Sequence, residues 1–281
     1  MTFCRKILCT VPVWIVLAGC SSTNDSNQSS RAGMNIPSPN LPGAPLVPER
    51  SVLRPYFKTK LGQIPAGESA ATAFAVSIEG NPKPIVLTAL STLAAGEFFS
   101  TQPTPNRLNA DLEVITLSDA FGSMDGVVSA RAFIEIPESG FAKDSNAPAG
   151  DVLAIQLGEK VPFKSLMLGD SLPVIGEKVW ISAAIFEGAP PSQMQHEAVV
   201  TALPADGNIH YRFENKKLSL KGTLGAPVLN AEGKVVAIHL GAIDTTDPLL
   251  AAGNPTARFL PYLAAALVHE TQSEKSQDSQ N

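Results

Sequence analysis

Along the middle of the chain, from about residue 51 to residue 270, apolar residues gather in short runs broken by Gly, Pro, Asn and Asp. The runs fall at 72–78, 84–89, 112–117, 127–134 and 152–157, then at 179–184, 197–202, 209–213, 227–229 and 235–240. Most are rich in Val and Ile and too short for helices, so they predict β-strands. One stretch reads differently. Pro261 suits a first helical turn, and Tyr262, Leu263, Ala264, Ala265, Ala266, Leu267 and Val268 continue it as a closing helix. Many short strands at this spacing predict an all-β sandwich or barrel.

The ends follow other patterns. Residues 1–19 open with Arg5 and Lys6 and continue through an apolar run interrupted by Thr10 and Pro12, which is too short to span a bilayer and has the anatomy of an export leader. It closes on Leu17-Ala18-Gly19-Cys20, which resembles the lipobox of bacterial lipoproteins. The resemblance implies cleavage before Cys20, lipid on the Cys20 thiol, and membrane attachment. Two or three acyl chains hold stably where one is marginal. Ser21, where an aspartate would retain such a protein at the inner membrane, implies the outer membrane. Residues 20–50 are dominated by Ser, Asn, Pro and Gly and read as a lipidated cysteine followed by a disordered tether, placing the domain on the order of 30 Å from the lipid by coil scaling. Residues 271–281 form a polar tail.

Composition narrows the function classes. The chain is 44% apolar and 17% charged, with a formal net charge of -5. Losing the leader removes two cations and no acid, which makes the remainder more acidic and argues against a nucleic-acid partner. The three cysteines, Cys4, Cys9 and Cys20, all lie at the start, so the folded part has neither disulfides nor a cysteine metal site. No pair of histidines has ligand spacing, and the Gly-rich run at 222–225 lacks the lysine and the strand-helix context of a phosphate loop. No cofactor and no metal are expected.

Three local patterns, in order, carry a further resemblance. Ala73-Phe74-Ala75-Val76, a polar loop and Ile85-Val86-Leu87-Thr88-Ala89-Leu90-Ser91 look like the strands that lead to the catalytic histidine of trypsin-like serine proteases, with Ser91 in the histidine's place. Gly150-Asp151-Val152-Leu153-Ala154-Ile155 is similar to the strand that opens with the triad aspartate, and Asp151 matches. Gly222-Thr223-Leu224-Gly225-Ala226-Pro227, followed by the strand Val235 to Leu240, resembles the nucleophile hairpin, with Leu224 in the serine's place. Leu168-Gly169-Asp170-Ser171 with Gly176-Glu177-Lys178-Val179-Trp180 resembles the start of the second barrel in bacterial members.

The resemblance implies two six-stranded β-barrels of the chymotrypsin type, at 51–160 and 161–270, with a C-terminal helix. It also implies lost catalysis. Acyl transfer on this template needs a hydroxyl, an imidazole, a carboxylate to orient it and backbone donors for an oxyanion. Leucine has no lone pair with which to attack, and a serine does not serve as general base. All four histidines, His196, His210, His239 and His269, lie in the second half. His239 reads either as the lining of a former pocket or as a strand histidine hydrogen-bonded within its sheet, and Asp151 either as a partner of Ser91 or as a turn aspartate after Gly150. Gly222, Thr223 and Leu224 are a candidate relic of the oxyanion loop.

The expectation is therefore an inactive homologue of trypsin-like serine proteases. It would be a non-catalytic module for an envelope protein or peptide, bound through the old cleft or through loops 187–197 and 242–254. The alternative is a divergent serine hydrolase with relocated groups, using Ser91, Ser165, Ser171 or Ser219 as nucleophile and a second-half histidine as base.

Overall fold

The computed structural model describes residues 43–59, 62–64, 71–93, 109–110, 112–122, 127–130, 132–141, 147–158 and 161–278. The leader, Cys20 and most of the expected tether lie outside these residues.

The first half is one curled antiparallel sheet. Its strands are β1 (Val52–Thr59), β2 (Gly62–Ile64), β3 (Ala73–Ser77), β4 (Ile85–Thr88), β5 (Leu112–Asp119), β6 (Val128–Ser129), β7 (Ala132–Ile134) and β8 (Leu153–Gln156). The order is β6-β5-β1-β3-β4-β8-β7, with β2 on β1 and the short β9 (Leu166–Met167) added parallel to β3. Within β1 the side chains of Leu53, Pro55 and Phe57 turn to the core while those of Arg54, Tyr56 and Lys58 are more exposed, the alternation of a half-buried strand. Pro55 pairs with Leu117 of β5, whereas β3 meets β1 only at Val52 and Leu53 and β2 only from Phe57 onward. Pro55 thus lies in a gap of the second ladder, where a missing donor is tolerated.

The second half is a closed barrel. β10 (Lys178–Ser182), β11 (Gln195–Ala202), β12 (Ile209–Phe213), β15 (Leu250–Pro255), β14 (Val235–Ala242) and β13 (Pro227–Leu229) follow one another around it. β15 runs without a loop into α1 (Thr256–Asp278), whose Phe259, Leu263 and Ala266 form the buried stripe. Spacings of four and three put these side chains on one helix face. This is the two-barrel, chymotrypsin-type architecture with a C-terminal helix that the resemblance implies, the first half being a curled sheet and the second a closed barrel.

Three apolar clusters hold it. Leu53, Phe57, Val86, Ile115, Leu117 and Ile155 belong to the core of the first half, and Val179, Ile181, Tyr211, Phe213 and Val228 to that of the second. The third joins the halves: Phe74, Val76, Leu87 and Ile134 pack with Leu229, Val235, Ile238, Phe259 and Leu263. Full burial of such a side chain contributes about 1.5–3 kcal/mol, so this middle cluster couples the halves strongly.

Several elements depart from the sequence pattern. The run at 127–134 is two strands, β6 and β7, and the expected loop at 242–254 supplies most of β15. The helix begins at Thr256, so Pro261 lies inside it, and it continues to Asp278 through the expected polar tail. At the other end, the last residues of the expected tether lie against the body. The Gln195 amide Nε2 donates to the Pro45 carbonyl, and Val47 packs on the middle cluster.

Candidate functional site

Ser91 follows β4 in a 3-10 turn, Leu90–Leu93, closed by Thr92, whose N–H and hydroxyl both donate to the Ala89 carbonyl (3.1 and 2.8 Å). The Ser91 N–H donates to Asp151 Oδ1 at 2.9 Å. Asp151 is buried between Gly150 and β8, and it is the one buried carboxylate among the described residues. Its loop is held from the second half. Asn254, fully buried at the end of β15, donates through Nδ2 to the Ala149 and Asp151 carbonyls (3.0 and 3.2 Å). Arg258 in the first turn of α1 adds Nε to the Pro148 carbonyl (2.9 Å) and a terminal nitrogen to the Ala147 carbonyl (2.6 Å). Gly150 has φ +68°, and a Cβ there would stand 2.5 Å from Asn254 Oδ1, so both backbone and space call for glycine.

The third stretch meets the first half from across the seam. The Thr72 N–H donates to the Leu224 carbonyl and its hydroxyl to the Gly222 carbonyl, both at 2.7 Å, while Ala71 and Leu224 form an isolated parallel bridge. Thr88 Oγ1, fully buried, donates to the Thr72 carbonyl at 2.8 Å. A Cβ at Gly225, where φ is +85°, would come within 2.1 Å of Thr88 Oγ1 and 2.3 Å of the Thr72 carbonyl. Glycine is what lets the hairpin dock this closely. Thr223 is buried, its hydroxyl donating to the Leu220 carbonyl (2.7 Å), and the half-buried Leu224 side chain packs against the middle cluster. The regions of Ser91, Asp151 and Leu224 thus meet at the junction of the halves.

The histidines lie elsewhere. His239, on β14, is fully buried with Tyr211 and Phe213. Its Nδ1 is 2.6 Å from Tyr211 Oη, which lies 3.0 Å from the Ala252 carbonyl. Each proton has a partner when Nδ1–H donates to the phenol and the phenol donates to Ala252, which leaves Nε2 a buried acceptor without a partner. A second ring proton there would be a buried charge with nothing to bond, and burial holds the His239 pKa down at about 3. The same burial raises Tyr211 well above the phenol's ordinary value. His196 is buried beside the Ala183 carbonyl (3.0 Å) and Gln193 (3.4 Å), and burial lowers its pKa too. His210 is half-buried on β12 and His269 is exposed on α1. Neither His196 nor His239 bonds a serine hydroxyl.

Of the four candidate serines, Ser91 alone is tied to a buried acid. Ser165 and Ser219 are half-buried and Ser171 is exposed, Ser219 giving its N–H to the Glu187 carbonyl at 3.1 Å. Sequence reading missed the seam's fastening residues, Thr72, Thr88 and Asn254. Threonine in a strand reads as β-propensity, and Asn254 between Gly253 and Pro255 reads as a turn. Among the described residues, no group of three or more His, Cys, Asp or Glu is placed to hold a metal ion, and no helix is long and apolar enough to cross a membrane.

No protein-family model matches the chain, and no curated protein matches it either. Solved structures do. The Rv3671c protease of M. tuberculosis in its active form is similar at 15% identity with a TM-score of 0.49, over 89% of this chain and 93% of that one. An inactive form of the same protease, a serine-to-alanine mutant, gives 14% and 0.46 over 83% and 92%, and the serine endoprotease of Yersinia pestis 15% and 0.45 over 79% and 62%. At such identity the likeness is one of fold. The expectation that the chain is no enzyme came from Ser91 and Leu224 standing at the catalytic positions. The structures the chain is similar to are serine proteases in active and inactive forms, and they do not bear that expectation out.

Proposed function

We propose that the chain is a lipid-anchored protein of the bacterial cell envelope and a divergent serine hydrolase acting on polypeptide, with its chemistry carried by groups other than the residue at 224. The reading is supported by one observation above the others: a half-buried serine, Ser91, bonded through its N–H to the one buried carboxylate, Asp151, at the junction of two protease-like halves. Polypeptide is the assigned substrate class, after the solved proteases whose fold the chain resembles. Ser91 is the hydroxyl assigned to attack, and Asp151, which accepts the Ser91 N–H, is the proton acceptor assigned to it. The buried histidines take no part in this scheme, because both lie inside the second barrel, His196 on Ala183 and Gln193 and His239 on Tyr211. Lipid on Cys20 is the assigned anchor, on the outer membrane, and it rests on the Leu17-Ala18-Gly19-Cys20 ending alone.

A fluorophosphonate probe on the purified full-length mature protein tests the chemistry. The expected result is labelling of one serine per chain, lost on denaturation and lost in Ser91→Ala at unchanged circular dichroism. A native protein that stays unlabelled, or labels equally well when unfolded, sinks the hydrolase reading. Retention of Cys20→Ser in the membrane fraction sinks the anchor.

A further inference from the structure

Between β9 and β10 the chain makes a short loop, residues 170–177, whose apolar content is on the wrong side for a core. Leu172, Val174 and Ile175 are 52%, 66% and 64% exposed, with Pro173 buried between them. No other loop among the described residues exposes three large aliphatic side chains within four positions; the remaining exposed ones, such as Met167, Leu203 and Ile243, stand singly. A cluster of this kind marks a surface meant to be covered.

The loop is also rigid. The Val174 N–H donates to Glu177 Oε2 (2.9 Å) and the Glu177 N–H returns to the Val174 carbonyl (3.0 Å). Gly176, at φ +89°, donates its N–H to the Val200 carbonyl (2.8 Å), and the Val200 N–H donates to the Glu177 carbonyl (2.9 Å). The apolar side chains therefore form a fixed prong fastened to β11. Of the loop's two acids, Glu177 has its carboxylate turned onto the prong's own backbone, and the exposed Asp170 faces Lys234.

What covers the prong is indicated by where the chain leads away. The described residues begin at Gly43, with Pro45 held by Gln195 and the Leu46 carbonyl 3.3 Å from where a Cβ on Gly233 would stand. Leu46 itself is 81% exposed. From Gly233 the surface continues through Lys234, whose Cβ lies 3.6 Å from a Cβ built on Gly169, and the Gly169 N–H donates to the Val235 carbonyl at 2.8 Å. Gly169 leads directly into the loop. The edge at which the described residues begin is thus joined to the prong through Gly233, Lys234 and Gly169, and both bear exposed aliphatic side chains. Lys234 sits between them, its Nζ 3.0 Å from Glu232 Oε2 and its charge also facing Asp170.

We propose that the loop at 170–177 is a membrane-seating prong, with Leu172, Val174 and Ile175 entering the bilayer interface and fixing which face of the domain meets the lipid. The lipid anchors the chain and the prong orients it. A tethered domain meets the bilayer at high effective concentration, so a weakly inserting loop suffices. This inference rests on the anchor reading above.

Val174→Trp tests it in the full mature protein, purified from membranes and reconstituted into phosphatidylethanolamine and phosphatidylglycerol vesicles with or without brominated acyl chains. The background is favourable, since Trp14 leaves with the leader and Trp180 is buried. Expected is co-flotation with the vesicles and loss of most of the introduced indole's fluorescence in brominated lipid. Co-flotation without quenching overturns the prong while the anchor stands, and covers the case of a second copy of the chain masking the loop. Failure to float overturns the anchor and the prong with it. Circular dichroism matching the parent protein checks the variant's fold.

Discussion

His239 shows how much one buried side chain fixes. It has room for a single ring proton, because Tyr211 receives Nδ1 while Nε2 faces no partner. The folded-state pKa of about 3 lies below the unfolded value near 6.5. The unfolded chain therefore binds the extra proton first, so stability is full above about pH 6.5 and is lost as pH falls from there toward 3. One such group gives a slope of about 1.4 kcal/mol per pH unit in that window. His196, also lowered by burial, acts in the same direction. Chemical denaturation followed from pH 7 to pH 4 should show this loss, and His239→Gln should reduce the slope. A slope unchanged in that variant would mean that other groups set the acid sensitivity. The sequence put His239 on a strand and left two roles open for it; only its neighbours on β12 and β15 decide in favour of the buried hydrogen bond.

At the scale of elements, α1 carries its own test. Pro261 was expected to open the helix, but the buried stripe starts at Phe259 and the helix at Thr256, which leaves Pro261 inside without an N–H for the Ala257 carbonyl four residues back. The position is exposed, so nothing in the core requires proline. Pro261→Ala should stabilise the protein by about 1–3 kcal/mol, visible as a higher melting temperature. A lower one would show that the proline sets the angle between β15 and the helix. β15 itself escaped the sequence reading because Leu250, Ala251, Ala252, Gly253, Asn254 and Pro255 have weak strand propensity and close in turn residues. It is a strand because β12 and β14 offer it a ladder on each side and the barrel closes through it. β1 escaped for a related reason, with Pro55 in the middle of its run.

Over the whole molecule, the cluster shared by both halves decides how the fold responds. Phe259 and Leu263 of α1 pack with Phe74 and Leu87 of the first sheet and Val235 and Ile238 of the second barrel, and Asn254 and Arg258 bond the Asp151 loop across the junction. The halves should unfold together. Calorimetry is expected to give one transition with equal calorimetric and van't Hoff enthalpies. Phe259→Ala should move that single transition down by about 3–5 kcal/mol, since an aromatic side chain lost from a packed core leaves a cavity. Two resolved transitions, only one of them shifted, would mean that the seam is a weak contact between independent barrels.

The sequence by itself determined most strands, the closing helix and the order in which the halves follow one another. It did so because periodicity and turn residues act locally along the chain. It also placed Ser91, Asp151 and Leu224 as residues to watch, since short motifs retain their local shape. What only the tertiary structure decided is how these stretches meet: Ser91 on Asp151, Thr72 on Leu224, Asn254 behind both. Those bonds join residues far apart in sequence, between groups whose types recur throughout the chain. Nothing short of the packed arrangement distinguishes the threonine that fastens a seam from the threonine that fills a strand.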